Sequence, residues 1–261
     1  LLIPAFVVAF GVTGWRLGWF VLGGAVLVIG LTSLALVRNR PADVGLAPLG
    51  SAAEPPAAPQ AQAPANWGLV YRSPLVWYLA LLGLASTLGT VSFITFYAAY
   101  LSHERGIDPE TAGRFWALTG VFGVVGAFLW GWVADRAGRK SALVLSFLLQ
   151  GVTFALFAAD ADPSVYALCA VLYGISSRAN YAVMAILCGD LLGPRLGVAA
   201  FGVNNLLAGI GLAIGPALAG MMADLTASFT LSFLISAAVV PLGALGSAAL
   251  RPEERTADSH R

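Results

Sequence analysis

Charged residues are scarce in this chain of 261 residues, where Asp, Glu, Lys and Arg together make up 10%. An ordinary soluble domain has about 25%. Hydrophobic residues make up 59%, and the mean hydropathy is +0.83. This composition excludes a water-soluble globular domain and predicts an integral membrane protein. The net charge of +1 favours neither nucleic acid nor an acidic partner, because the basic residues are spread over many loops.

Cysteine and histidine are also scarce, with two residues of each. None of them has the spacing of a metal site, so we expect neither a metal nor a cofactor. Cys169 and Cys188 are predicted to lie on one helix about 28 Å apart, which is too far for a disulfide. The sequence begins at Leu1 inside an apolar run, without the basic segment of a signal peptide. We therefore expect the start of a longer protein to be missing.

Apolar runs long enough to cross a bilayer recur along the chain. Half a span at 1–10 precedes a complete one at 17–37, and six more follow at 74–101, 111–134, 141–159, 164–188, 197–223 and 229–250. A stretch rich in Pro, Ala and Gln predicts a linker that is partly disordered. The predicted parts are the end of one transmembrane half at 1–40, the linker at 41–73, a six-span half at 74–250 and a tail at 251–261. The predicted fold class is an all-α integral membrane protein.

Basic side chains in the loops predict which side of the membrane each loop faces. Ten fall on one side of the predicted topology and three on the other. The first side carries Arg38, Arg40, Arg72, Arg136, Arg139, Lys140, Arg195, Arg251, Arg255 and Arg261, and the second carries Arg16, Arg105 and Arg114. Because Lys and Arg concentrate in cytoplasmic loops, we expect the linker and the C-terminal tail to be cytoplasmic.

The turn between the second and third of the six spans carries a charged motif, G-x-x-x-D-R-x-G-R-K, at 131–140. Asp135 can accept hydrogen bonds from nearby amides, and Gly138 can take a positive φ. The motif is similar to the loop motif of the major facilitator superfamily of secondary transporters, in the copy that lies between spans eight and nine. The resemblance implies that 17–37 is span six and that the six later spans are seven to twelve.

Further segments carry the same resemblance. They are Gly14-Trp15-Arg16 before span six and the run from Gly209 to Asp224 in span eleven, where small residues four apart let helices approach closely. Residues 40–46 and 189–195 look most like the monocarboxylate and oxalate–formate branch. That branch often carries an Asp and an Arg within span eight, where this chain has only Arg114 at the outer end.

The resemblance implies a gating role for the loop motif. Its charged residues tie the cytoplasmic ends of helices together in the outward-open state and release them as the two halves rock. The residues concerned are Gly131, Asp135, Arg136, Gly138, Arg139 and Lys140. The alternative is that the motif serves only as a topology signal.

An arginine within a predicted span is the first candidate for binding substrate. Burying Arg178 in a membrane costs about 2.5–3.5 kcal/mol, so it should face a cavity or a partner instead of lipid. Tyr181 shares its helical face. Asp190 and Asp224 lie at span ends, so no acid at the depth of Arg178 neutralises it. Arg178 could hold an anionic group, or it could tie helices together.

Polar residues at helical spacing give the remaining candidates. Ser86, Thr90 and Tyr97, with Phe93 between them, form a stripe on one helix. Asn204 and Asn205 lie in the predicted span 197–223. In transporters of this type spans seven, eight, ten and eleven surround the substrate path. Hydrogen bonding between helices is the alternative for all of these residues.

The resemblance implies a secondary active transporter, not an enzyme, that moves a small organic solute by alternating access. Arg178 favours an anion such as a carboxylate, moved either with a coupled proton or by exchange. The alternatives are a drug or neutral-metabolite efflux transporter and a non-transporting receptor or scaffold. An intramembrane aspartyl protease is excluded, because Gly189-Asp190 has no second intramembrane carboxylate to face. One lysine among many alanines and glycines points to a bacterial protein, in the inner membrane.

Overall fold

The computed structural model describes residues 6, 9–38, 44–45, 67–159 and 161–250, and every regular element among these is helical. The predicted tail 251–261, most of the predicted linker and most of the branch-like residues 40–46 lie outside the described residues. The chain divides into two units, Leu1–Pro64 and Ala65–Arg261, which are considered separately.

The described residues of the first unit contain one long helix. A single 3-10 turn, Gly11–Thr13, leads into α1, Gly14–Leu36. At 1.5 Å per residue α1 is about 35 Å long, enough to cross a bilayer. Its apolar side chains point outward all round, with Phe20 76% and Leu34 78% exposed within the described structure. A helix that is apolar on every face is suited to lipid or to packing against other helices.

The described residues of the second unit form seven helices. They are α2, Trp67–Arg72; α3, Pro74–Ala99, continued by a π-helical turn, Tyr100–Glu104; α4, Pro109–Ala137; α5, Arg139–Ala158; α6, Pro163–Ser177; α7, Ala179–Thr226; and α8, Thr230–Ala249. Within α7 the backbone turns sharply at Gly193, where φ is 76° and ψ is 167°.

Seven helical segments of the described chain are long and apolar enough to cross a membrane, one in the first unit and six in the second. The predicted all-α membrane fold is therefore confirmed. Two details differ from the sequence prediction. Residues 67–72 of the predicted linker form α2, and the predicted span 164–188 consists of two helices that meet at Arg178. We call the segment Pro163–Asp190 the broken span.

The ends of α4 follow from local chemistry. Asp108 caps its N-terminus by accepting a hydrogen bond from the backbone N–H of Thr111 at 3.0 Å, and Pro109 occupies the first turn. Hydrogen bonds from the Thr111 side chain and backbone hold the pKa of Asp108 below its usual range. At the other end Gly138 separates α4 from α5 with φ +85°, a conformation that glycine adopts without strain.

An aromatic cluster forms the main core where α3, α5, α6 and α8 meet. Its ring centres lie close together, for example 4.7 Å between Phe93 and Phe157 and 4.6 Å between Phe93 and Tyr173. The cluster consists of Phe93, Tyr97, Tyr100, Phe154, Phe157, Tyr166, Tyr173 and Phe233, all less than 5% exposed. Edge and offset ring contacts of this kind add to the packing energy of each pair.

Small residues bring α4 and α6 into backbone contact. A Cβ atom added at Gly126 would overlap the carbonyl oxygen of Ile175, and one at Gly174 would lie 2.7 Å from the carbonyl oxygen of Thr119. Close approach through glycine is common where membrane helices associate. It fixes the first half of the broken span against α4.

Candidate functional site

The break at Arg178 leaves backbone carbonyls that must be satisfied within the protein, because lipid offers no hydrogen bonds. The Ser176 and Ser177 hydroxyls donate to the carbonyls of Tyr173 and Gly174 at 3.3 Å. Trp130 Nε1 of α4 donates to the carbonyl of Ile175 at 2.8 Å. The last turn of α6 is therefore held by side chains.

A polar cluster holds the other side of the break. Asn180 Nδ2 donates to Ser86 Oγ of α3 and to Gln150 Oε1 of α5, both at 3.2 Å. Asn180 Oδ1 accepts a short hydrogen bond from Ser146 Oγ of α5. Asn180, Gln150 and Ser146 are at most 8% exposed. We call these four residues the polar cluster; it fixes the start of α7 to two neighbouring helices.

A cavity of about 940 Å³ opens between α3, α4 and the broken span. Arg178 and Tyr181 line it at the break, Thr90 from α3, and Trp116 and Phe128 from α4. Mostly apolar walls with a few convergent polar groups are typical of small-molecule sites. We call this space the open cavity.

Arg178 is exposed to the open cavity and stands at the break itself, with φ −89° and ψ −19°. No carboxylate of the described residues forms an ion pair with it. The ion pairs within the described chain join Arg114 to Glu110 and Arg139 to Asp190. The start of α7, beside Arg178, carries the positive end of a helix dipole, which adds to the attraction for an anion. An anionic ligand would thus meet a positive charge in a largely apolar space.

A second, smaller cavity of about 200 Å³ adjoins the first. The two share Thr90, Ser177 and Tyr181 in their walls. Ser86, Asn180 and Asn204 supply further polar groups, and Met184 and Leu212 supply apolar ones. We call this space the hydroxyl pocket. It has no charged residue among those that line it in the described structure.

The structure thus brings five of the predicted substrate residues to these two cavities. Arg178 and Tyr181 line the open cavity, and Ser86, Thr90 and Asn204 line the hydroxyl pocket, with Thr90 and Tyr181 reaching both. Their role in binding stays a prediction.

The other two predicted residues line neither cavity. Tyr97 is 1% exposed within the aromatic cluster, behind Trp116, at 4.9 Å between ring centres. Asn205 is partly exposed, whereas its neighbour Asn204 is buried and donates to the carbonyl of Leu79 at 2.9 Å. Sequence reasoning did not single out Asn180 or Trp130. The available signal for Asn180 was an amide two residues after Arg178 in an otherwise apolar run.

The predicted gating motif lies at the far end of α4. Arg139 forms an ion pair with Asp190, at the end of the broken span, with both side chains about two-fifths exposed. Arg136 stacks over Trp132, with the guanidinium carbon 4.7 Å from the ring centre. Asp135 and Lys140 make no ion pair with another described residue. The motif thereby links the α4–α5 turn to the same span that carries Arg178.

Titratable groups do not assemble into a metal site in the described part of the chain, where no three of His, Cys, Asp and Glu lie close enough to share an ion. Cys169 and Cys188 are both buried and free. The described walls of the two cavities offer a positive charge and hydrogen-bonding groups.

Seven membrane-capable helices, together with an arginine-lined cavity within the second unit, define a multi-span membrane protein with a polar site. Residues 79–261 match the model of the Major Facilitator Superfamily. This range is most of the chain, so the chain belongs to the Major Facilitator Superfamily.

Individual relatives agree with the family. The chain is 25% identical over 143 residues to the uncharacterized MFS-type transporter YqjV of Bacillus subtilis, covering 55% of this chain and 35% of the relative. It is 28% identical over 145 residues to the membrane sensor protein UhpC of Salmonella typhimurium, covering 51% and 33%. It is 38% identical over 76 residues to the D-galactonate transporter of Escherichia coli, covering 29% and 17%. The matched part thus spans about a third of the length of the first two relatives and 17% of the length of the D-galactonate transporter.

Proposed function

We propose that this chain forms part of a secondary transporter that moves a small organic anion across a membrane by alternating access. The observation that carries the proposal is Arg178, which faces the open cavity at a helix break and forms no ion pair with a described carboxylate. A buried guanidinium stays charged and matches a carboxylate with two parallel hydrogen bonds. The D-galactonate transporter, by its name, handles a carboxylate.

The broken span supports alternating access. Transporters often bind substrate at discontinuous helices near the bilayer midplane, where backbone ends and polar side chains face the solute. In this chain the break carries both Arg178 and Tyr181, while the same span ends at Asp190 in the ion pair with Arg139. A movement of the span could therefore couple the cavity to the loop at its end.

Coupling and orientation belong to the same proposal. No aspartate or glutamate lies in the middle of a described span, so a proton-carrying carboxylate would come from the first half of a longer protein. The excess of basic loop residues supports a cytoplasmic linker and C-terminus, and the proposed location is a bacterial inner membrane. The partners are the lipid bilayer, the solute and, where transport is coupled, a proton.

The test is uptake of labelled carboxylates by the full-length protein in proteoliposomes. Arg178→Gln should lower uptake of its anion about tenfold to a hundredfold, since a hydrogen bond to a charged group contributes about 1.5–3 kcal/mol. Arg178→Lys should retain part of the activity. Arg114→Gln removes an exposed, paired arginine of α4 and serves as the matched control. Uptake of neutral or cationic solutes that is indifferent to Arg178→Gln would overturn the proposal.

A sensor is the second candidate, because UhpC is by its name a membrane sensor. A sensor of this fold would bind the anion through the same arginine without moving it. Saturable, Arg178-dependent binding in detergent together with no flux in proteoliposomes would favour the sensor. Flux at a rate that saturates with the same affinity would favour the transporter.

A further inference from the structure

The hydroxyl pocket adjoins the place where an anion would sit. Thr90, Ser177 and Tyr181 belong to both cavities, so a molecule whose carboxylate meets Arg178 can extend into the pocket. This step rests on the proposed function, because it takes Arg178 as the group that binds the carboxylate. The question is which chemical groups the pocket would accept from the rest of that molecule.

Three polar groups of the pocket retain unused hydrogen-bonding capacity. Ser86 Oγ accepts from Asn180 Nδ2, but its own O–H has no acceptor among the described residues. The Thr90 hydroxyl makes no hydrogen bond to any residue described, and Asn204 uses Nδ2 on the carbonyl of Leu79 while its Oδ1 stays free in that same set. The pocket thus offers a donor, an acceptor and a hydroxyl that can be either.

A fourth group, the Tyr181 hydroxyl that the pocket shares with the open cavity, makes no hydrogen bond to a described residue either, and the remaining polar groups of the pocket are already engaged. Asn180 donates twice and accepts once within the polar cluster. Thr87 donates to the carbonyl of Gly83 at 2.9 Å, and Ser177 donates to the carbonyl of Gly174. The free capacity of the pocket wall therefore lies at Ser86, Thr90 and Asn204, together with the Tyr181 hydroxyl. A purely apolar group placed there would leave these atoms without partners, which is unfavourable in a buried site.

Charge narrows the class of ligand further. None of the described residues lining the pocket is charged, so a second ionised group of the ligand would gain no counter-ion there. An alcohol, which both donates and accepts, matches the mixture of free groups. We infer that the substrate is a hydroxylated carboxylate, with the carboxylate at Arg178 and at least one hydroxyl group at Ser86, Thr90 and Asn204.

Three acids of equal carbon number test this inference: propionate, lactate and glycerate, which carry no, one and two hydroxyl groups. Their affinity for the full-length protein is measured by calorimetry, or by competition with a transported anion. Glycerate should bind at least tenfold more tightly than propionate. Thr90→Val should weaken glycerate about threefold to tenfold, the effect of one hydrogen bond, and leave propionate unchanged. Ser86→Ala also removes a partner of Asn180, so it should weaken both acids, and glycerate more than propionate.

Thr153→Val is the matched control. Thr153 is a buried threonine of α5 that lines neither cavity, and its hydroxyl donates to the carbonyl of Leu149 at 2.7 Å. This variant should not alter the ratio between glycerate and propionate. The affinities are compared at equal folded fraction, judged by size-exclusion profile.

The outcomes separate this inference from the proposed function. Equal affinity for the three acids, or an equal loss for glycerate and propionate in Thr90→Val, overturns the hydroxyl assignment. If Arg178→Gln still weakens all three acids in that case, the anion proposal stands alone. If no carboxylate depends on Arg178, the proposed function fails, and the inference fails with it.

Discussion

The aromatic cluster and the polar cluster share three helical segments but hold them in different ways. Each segment contributes to both clusters through residues seven positions apart, about two turns or 10.5 Å of helix. These pairs are Ser86 and Phe93 on α3, Gln150 and Phe157 on α5, and Asn180 and Tyr173 on the broken span. One seam between helices thus has an aromatic layer and a polar layer.

The ring contacts of the aromatic layer are redundant. Phe157 lies within 5.5 Å, between ring centres, of five other rings, and the contacts have no strict direction. The polar layer depends on few bonds, because Asn180 alone joins α3 and α5 to the start of α7. The difference suggests a division of roles. Ring packing sets the stability of the bundle, and the amide sets the geometry of the break that carries Arg178.

The largest effect on stability is expected in the aromatic layer. Phe157→Ala should lower the free energy of unfolding by about 3 kcal/mol, since it leaves a cavity among close-packed rings. Unfolding in detergent, followed by temperature or denaturant, measures the loss. Phe157→Leu fills most of the volume and should recover much of it.

Anion affinity gives the second half of that test. Protein of the Phe157→Ala variant that remains folded should bind the anion within about twofold of the original affinity, because Phe157 lines neither cavity. A large loss of affinity with little loss of stability would contradict the division between the layers.

An intermediate effect on stability is expected in the polar layer. Asn180→Leu should lower the free energy of unfolding by about 1–2 kcal/mol, because hydrogen bonds between membrane helices contribute little each, while Gln150 and Ser146 lose a buried partner. Anion affinity should fall at least tenfold, since the start of α7 no longer holds Arg178 in place. Equilibrium binding and unfolding measured on the same sample give both values.

A different result would sharpen the comparison. If Asn180→Leu lowers stability as much as Phe157→Ala and leaves affinity unchanged, the amide belongs functionally with the aromatic layer. Asn180→Asp keeps the oxygen that accepts from Ser146 and removes the amide that donates to Ser86 and Gln150, so it should fall between the original protein and Asn180→Leu in affinity.

Much of this fold was predictable from the sequence. The spans follow from apolar runs of bilayer length, and they need no knowledge of packing. The turn at Gly138 followed from a glycine between charged residues, and it has the positive φ that was expected. The break at Arg178 was not predicted, because the broken span as a whole is still apolar enough to cross a membrane, although its mean hydropathy of 1.2 is the lowest of the seven, and no proline marks the break. It depends on tertiary partners, namely Trp130 from α4 and the polar cluster.

The candidate site was predictable in part for the same reason. Arg178 stood out because an arginine within a span is costly anywhere in a membrane. Ser86 and Thr90 share a helical face with Tyr97, but the surroundings change along that face from a cavity wall to the aromatic cluster. Helical spacing predicts which residues share one face of a helix. It does not predict the depth in the membrane at which neighbouring helices bury that face. The ion pair between Arg139 and Asp190 likewise joins residues fifty-one positions apart, which no local pattern encodes.

The smallest effect is expected for Tyr97→Phe, which removes one polar atom from the aromatic layer. The Tyr97 hydroxyl is buried and has no hydrogen-bond partner among the described residues, so it stays desolvated without compensation. Its removal should leave the ring contacts with Trp116 and Phe157 intact and raise the free energy of unfolding by about 1 kcal/mol or less.

The same variant tests the prediction that Tyr97 binds substrate. If the hydroxyl lies only in the core, affinity for the anion is unchanged in Tyr97→Phe while stability is equal or higher. If substrate reaches it, affinity falls by the several-fold effect of one hydrogen bond although no cavity is created. Binding would then also depend on a polar atom of the aromatic layer. The boundary between the two layers would lie closer to the end of α3 than the ring contacts indicate.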